Sequence, residues 1–309
     1  MPIPGSHNTR ALCQGSGQRL NWPSGWQWLV ILVSLLVLMP LSVLFLAWLE
    51  PAWDIWRHLQ QTMLSRLLVN TFKLVVGVSI GTLILGVGLA WLTGACDFPG
   101  RRYFSWTLLL PLAMPTYVLA FVFLGLFDFS GPVQTQLRVW FGPGIWLPDM
   151  RSAGGVVLVM SLALYPYIYL LSRNAFRTQG KRALEAAQSL GCSPTGGFFR
   201  VVLPMARPWI AGGTALVLME ALADFGAVSI FNYDTFTTAI YKAWFGFFSL
   251  PAAAQLSSLL VALVVGLIVL EQQLRKRMRF AQGRLAPQAD RIQLQGWHKW
   301  GATTACSAV

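Results

Sequence analysis

The sequence predicts an all-α integral membrane protein with six spans. Composition, apolar run length and the distribution of basic residues point to it. Hydrophobic residues make up 55% of the 309 residues and charged residues only 11%, against about 25% charged in a soluble domain. Six stretches reach the roughly 20 apolar residues that a bilayer-crossing helix needs: 26–49, 74–93, 103–127, 152–172, 208–231 and 249–270. With the N-terminus inside and the spans alternating, Arg10, Arg19, Arg101, Arg102, Arg173, Arg177, Lys181, Arg182, Arg200, Arg207, Arg275, Lys276, Arg277, Arg279, Arg284, Arg291 and Lys299 fall on one side. Only Arg57, Arg66, Lys73, Arg138, Arg151 and Lys242 fall on the other. The excess of basic residues in cytoplasmic loops predicts that both termini and the loop 173–207 are cytoplasmic. The net charge of +12 is thus a topology signal, and it does not point to nucleic acid.

Residues 1–25 are rich in Gly, Ser and Pro and are expected to be disordered. The first span, with Pro40, is too long for a signal-peptide core and lacks a small-residue cleavage pattern, so it reads as a retained transmembrane helix. Trp53 and Trp56 in the external segment 50–73 suit an interfacial helix. The second span carries Gly77, Gly81, Gly86 and Gly88. Small residues four apart let helix backbones approach closely, and packing within the chain is the simpler use.

Asp97 to Arg102 form a tight inside turn, and Pro111 and Pro115 predict a kinked third span. Residues 128–151 and 232–248 form external loops, and the fourth span holds Tyr165-Pro166-Tyr167. Arg275 to Arg279 close the sixth span as a stop-transfer cluster. The basic cytoplasmic tail, 272–309, shows no periodicity from 280 onward and is expected to be unstructured. Many tryptophans, among them Trp26, Trp28, Trp48, Trp91, Trp106 and Trp209, sit near span ends, where an indole ring meets hydrocarbon and its N–H meets water. Cys13, Cys96, Cys192 and Cys306 have no C-x-x-C spacing. On the cytoplasmic side they are expected to be free thiols. His7, His58 and His298 are isolated and suggest no metal cluster.

Five of the six spans carry no charge, whereas the fifth carries Glu220 and Asp224. Four residues apart on a helix, they would share one face. Charged groups in a span usually face the protein interior or a wet cavity. Two readings stand: a lining of a translocation path, contacting a hard cation, or hydrogen bonding between packed helices.

The loop 173–207 is the most informative segment. Good helix formers run from Ala175 to Leu190. Gly191 stands where a left-handed helix cap needs glycine, and Ser193-Pro194 reads as N-cap and first residue of a second short helix. That helix carries Phe198, Phe199, Val201 and Val202, and Pro204 is expected to end it. Apolar side chains in such a loop need a surface, supplied either by a partner protein or by the membrane domain itself.

The residues Glu185, Ala186, Ala187, Gly191, Val201, Leu203 and Pro204 match the pattern E-A-A, three residues, Gly, nine residues, an aliphatic, one residue, Leu-Pro. This resembles the coupling loop of permease subunits of type-1 ABC importers, with Val201 where the family most often has Ile. Asn70-Thr71 before the second span and Pro111 with Pro115 fit the same pattern. The resemblance implies a six-helix ABC transmembrane type-1 domain over 66–271, preceded by the first span, in the bacterial inner membrane. It implies that the seven residues couple the chain to an ABC ATPase dimer: the alanines allow close approach, Gly191 the sharp turn, and Glu185 a salt bridge or cap. It further implies a second permease half and an extracytoplasmic substrate-binding protein as partners. The chain has no G-x-x-x-x-G-K-[ST] phosphate loop, so it needs no cofactor of its own and ATP would be hydrolysed by a partner.

The stretches Ala221 to Phe231 and Asp234 to Phe245 are similar to permeases for ferric iron, with thiamine and phosphonate permeases as relatives. Ferric-iron permeases of this kind commonly fuse two such halves. This chain resembles the first, with Gln295 to Trp300 like the linker before the second. A truncated product, a separate subunit or a homodimerising half would each fit. The competing function is an ion-coupled carrier using Glu220 and Asp224 without an ATPase. An intramembrane enzyme has no support, because there is no H-E-x-x-H motif and no paired metal ligands.

Overall fold

The structure is a computed structural model that describes residues 25–49, 53–142, 149–277, 292–294 and 296–309. The disorder expected of the N-terminal segment therefore falls outside the described residues. The chain divides into a unit ending at Val43 and a unit from Leu44 to Val309. The first contains most of helix α1 (Gly25–Leu46), which is apolar around its whole circumference, includes Pro40 and has no buried residue.

The second unit holds the remaining helices. They are α2 (Trp53–Thr62), α3 (Leu64–Ala95), α4 (Arg101–Thr107), α5 (Thr116–Phe127), α6 (Pro132–Phe141), α7 (Ala153–Ala175), α8 (Lys181–Ser189) and α9 (Pro194–Gly197), followed by α10 (Leu203–Ala223), α11 (Gly226–Ile230), α12 (Phe236–Tyr241), α13 (Leu250–Arg277) and α14 (Trp297–Ser307). Among the described residues, six helical stretches are long and apolar enough to cross a membrane.

Helix α7 is the centre. Of its apolar window 61% is buried, against 33% or less in the other five. Its neighbours approach through glycine. A Cβ added at Gly77 would lie 2.8 Å from Val157 Cγ2, one at Gly86 would lie 2.8 Å from Ile168 Cβ, and one at Gly81 would collide with the Ser161 hydroxyl. On the other flank a Cβ at Gly213 of α10 would lie 2.8 Å from Ile168 Cα. The four-residue glycine spacing thus serves packing within the chain.

Several expected spans change. The third is not one kinked helix: it breaks into α4, a 3-10 turn over Leu110–Ala113 and α5. Pro111 and Pro115 remove two backbone donors within five residues, more than a single kink absorbs. The fourth span runs on through a π-turn (Phe176–Gly180) into α8 without leaving helical geometry. The fifth stops at Ala223 and resumes as α11.

The tail also departs from expectation. Ile292 and Gln293 form a parallel pair of strands, β2, with β1 (Cys96–Asp97). Helix α14 buries Ala302 and Cys306 in the same core as Phe98, Tyr165 and Leu184. Two alternating residues and an 11-residue helix are too short to show a period in the sequence. Residues 278–291 lie outside the described residues.

Gly81 and Gly88 give an internal control on this packing. Gly81→Leu is expected to destabilise the protein by about 1–3 kcal/mol through overpacking. Gly88→Ala, whose added Cβ meets nothing within 4 Å, is expected to be neutral or to stabilise by up to about 1 kcal/mol. Thermal unfolding in detergent, followed by intrinsic tryptophan fluorescence, distinguishes the two.

Candidate functional site

The candidate site is the reversal between α8 and α9. Helix α8 ends at Ser189, and Gly191 takes φ +84°. The Gly191 N–H donates to Gln188 O at 2.9 Å and the Cys192 N–H to Ala187 O at 3.0 Å. These two bonds make a Schellman cap, which satisfies the last carbonyls of the helix and turns the chain. A residue other than glycine would be strained there. Ser193 then caps α9, its hydroxyl accepting from Gly196 N–H at 3.2 Å, with Pro194 as first helical residue.

Pro204 does not end the second helix. A π-turn over Phe198–Val202 leads directly into α10, with Leu203-Pro204 as its first residues. The wider turn absorbs the missing proline N–H and relieves the ring's clash with the preceding carbonyl. Helicity therefore runs from Pro194 to Ala223. Both arms of the reversal are direct extensions of membrane helices.

The two arms pack on each other and on the bundle. A Cβ at Gly197 would lie 3.0 Å from Leu184 and 3.1 Å from Ala187 Cβ. Ala187 is only 2% exposed, so its small size serves contact between α8 and α9. Ala186 points outward. Below the arms, the Trp91 ring meets Phe176 at 5.4 Å and Phe198 at 4.8 Å between centroids. Both partners belong to the π-turns, so one indole holds both junctions. Val202 is buried and Val201, Leu203 and Pro204 are half-buried.

An outward face remains. Glu185, Ala186 and Gly191 are exposed, and Leu190 and Phe199 are 85% and 66% exposed. The Glu185 carboxylate lies 3.6 Å from Lys181 Nζ. An exposed pair of this kind contributes little stability. Glu185 is therefore exposed and only weakly held, on the same helical reversal as the exposed Leu190 and Phe199.

Glu220 and Asp224 do not lie on one unbroken helix. Asp224 is the C-cap of α10 with extended backbone (ψ 124°). Its carboxylate accepts from the Thr116 hydroxyl and, at 2.8 Å, from the Ala227 N–H. Glu220 is exposed, within hydrogen-bonding reach of the Tyr167 hydroxyl. With Leu216, Met219 and Ala223 it forms an exposed stripe at helical spacing. Sequence reading missed Trp91, Thr116 and the two π-turns. Trp91 reads only as an interfacial tryptophan, Thr116 lies 108 positions from its partner, and π-turns have no composition of their own.

Among the described residues, six helical stretches long and apolar enough to cross a membrane accompany a capped helical reversal. The chain belongs to the binding-protein-dependent transport system inner membrane component family, whose pattern matches residues 83–280. It is 30% identical over 77% of its length to the Fe(3+)-transport system permease protein FbpB 2 of Haemophilus influenzae, of which it spans 44%. It is 27% identical over 71% of its length to the molybdenum transport permease ModB of the same organism, covering 99% of that protein. In fold it resembles a chain of a bacterial ABC transporter that imports the acidic polysaccharide alginate, with a TM-score of 0.63, 16% identity and coverage of 81% and 96% of the two chains.

The thiols report on this end of the molecule. Burial pushes Cys96 and Cys306 from the ordinary 9.0 up to about 11. The thiolate is the reactive form, so each loses about 100-fold in thiolate fraction near pH 8. Cys192 is partly exposed. Among these three thiols, a maleimide titration at pH 8 in mild detergent is expected to modify Cys192 first, with Cys96 and Cys306 reacting only as the pH approaches 11.

Proposed function

We propose that this chain is one permease half of an ATP-driven importer. The α8–α9 pair docks on an ABC ATPase, and α10 lines a path completed by a second permease half. The observation that carries the reading is mechanical. Leu190 and Phe199, exposed like Glu185 on the reversal, sit on arms that continue without a break into the fourth and fifth spans. A force on that face is transmitted as a tilt of α7 and α10, because the Schellman turn and the Trp91 contacts leave the arms no independent motion. ATP-driven closure of the ATPase dimer would supply the force. On the positive-inside assignment this end faces the cytoplasm, and the importer sits in the bacterial inner membrane.

The stripe on α10 supports the second half of the proposal. A carboxylate facing lipid costs at least about 2.5 kcal/mol, so Glu220 faces protein or water in the assembly. The cargo we propose is ferric iron, delivered by an extracytoplasmic binding protein. It is supported by the similarity to the ferric-iron permease and by one exposed carboxylate, Glu220, of the kind a hard cation binds. Relatives that carry molybdenum and sulfate mark the oxyanion alternative.

The test is co-purification. With wild-type permease, a tagged ATPase subunit from the same system is expected to be retained on affinity resin. The double variant Glu185→Ala, Gly191→Val is expected to reduce retention about tenfold or more while still inserting in the membrane. Undiminished retention would overturn the docking role. In sealed cells Cys192 is expected to resist an impermeant thiol reagent and to react in inside-out vesicles; labelling of intact cells would reverse the topology.

A further inference from the structure

Two of the spans expected from the sequence lose α-helical geometry, and their breaks meet. The third span leaves α-helical geometry between Thr107 and Thr116, and the fifth stops at Ala223 and resumes at Gly226. Asp224 bridges the gaps. One carboxylate oxygen accepts the Thr116 hydroxyl at the start of α5, and the other accepts the Ala227 N–H of α11 at 2.8 Å. Its backbone carbonyl accepts the Thr237 hydroxyl of α12 at 2.8 Å. There is no slack nearby: a Cβ on Gly226 would lie 2.7 Å from Tyr117 Cβ.

A ladder of aromatic rings begins at the next residue. Phe225 meets Tyr241 at 5.0 Å, Tyr241 meets Phe245 at 4.8 Å, and Trp244 meets Phe245 at 4.9 Å. These rings are 39–53% exposed, and Phe248 beside them is 89% exposed with φ +52°. A bulky residue in the left-handed region is strained, and such strain gathers at functional segments. The ladder lies one helical turn beyond the exposed Glu220, whose carbonyl accepts the Asp224 N–H at 2.9 Å.

We propose that Asp224 is a positioning residue that latches this aromatic ladder across the outer end of the Glu220 stripe, so that the rings seal the path. The proposal rests on the reading of that stripe as the path. Interrupted membrane helices supply the freedom to move. The two hydrogen bonds accepted by the Asp224 side chain join the end of α10 to α5 and α11 at the point where that freedom exists. Aromatic rings close an opening to water at little loss of side-chain freedom.

The experiment measures accessibility from outside. Glu220→Cys is made in the full chain together with Cys13→Ser and Cys192→Ser, and cells carrying it are treated with a membrane-impermeant maleimide, the rate being taken per molecule of protein. With Asp224 in place slow labelling is expected. Adding Asp224→Ala, which removes both side-chain hydrogen bonds, or the near-isosteric Thr116→Val, which removes one, where the first variant fails to accumulate, is expected to speed labelling about tenfold or more. Asp224→Asn keeps an acceptor for Ala227 N–H and a donor for Thr116 Oγ1, so it is expected to restore the slow rate. A purely structural role would lower the amount of protein and leave the rate per molecule unchanged. Equal rates with and without the latch, where Glu220→Cys still reacts from inside-out vesicles, would overturn the latch alone. A Glu220→Cys that reacts from neither side would overturn the path reading and the latch with it.

Discussion

A polypeptide in hydrocarbon has no water to satisfy its backbone, and the C-terminal end of each helix leaves four carbonyls without partners. In this protein those carbonyls are met by side chains from elsewhere in the chain. The guanidinium of Arg101 donates to Thr93 O near the end of α3 at 3.2 Å, and the Tyr165 hydroxyl to Leu108 O after α4 at 2.8 Å. The Gln134 amide donates to Phe127 O of α5 at 2.8 Å, and the Gln255 amide to Ala47 O after α1 at 3.1 Å. Thr237 does the same for Asp224 at the end of α10. The helices are therefore fastened at their ends, while their middles slide close on small residues.

That arrangement explains where the molecule is stiff. Helix α7 is gripped by glycines from both flanks, so α3, α7 and α10 form one block. The block continues through two π-turns into α8 and α9, where a left-handed glycine closes the reversal. π-turns are found mostly at functional positions in helices. Here they let two membrane helices re-aim by part of a turn and still arrive as one rigid piece. Side chains gathered on Trp91 hold both turns, and the tail helix α14 buries its small residues in the same core.

The same constraint explains where the molecule is free to bend. Spans three and five give up helical hydrogen bonds at Pro115 and Asp224, and the side chains that repair the gaps are few and identifiable. A helix without such a gap transmits force along its length, whereas a gap held by one carboxylate yields at a known place. The coupling proposed for one end and the latch proposed for the other therefore rest on a single rule about unsatisfied backbone groups.

Much of this was legible in the residues. Six apolar runs, the one-sided distribution of arginine and the pattern from Glu185 to Pro204 determine the class, the number of spans and the helical reversal. Their physics is local or additive: transfer of side chains into hydrocarbon, the left-handed preference of Gly191, the cap at Ser193. Tertiary structure decided the rest. Pro204 reads as a stop, and only the π-turn before it lets the helix continue. Ala187 reads as a surface residue until Gly197, ten positions on, is placed against it. Asp224 and Glu220 read as a pair, yet one is consumed by Thr116, 108 residues away, and the other is left facing outward. Contacts between distant residues depend on how the helices cross, and no period or spacing in one chain encodes that crossing.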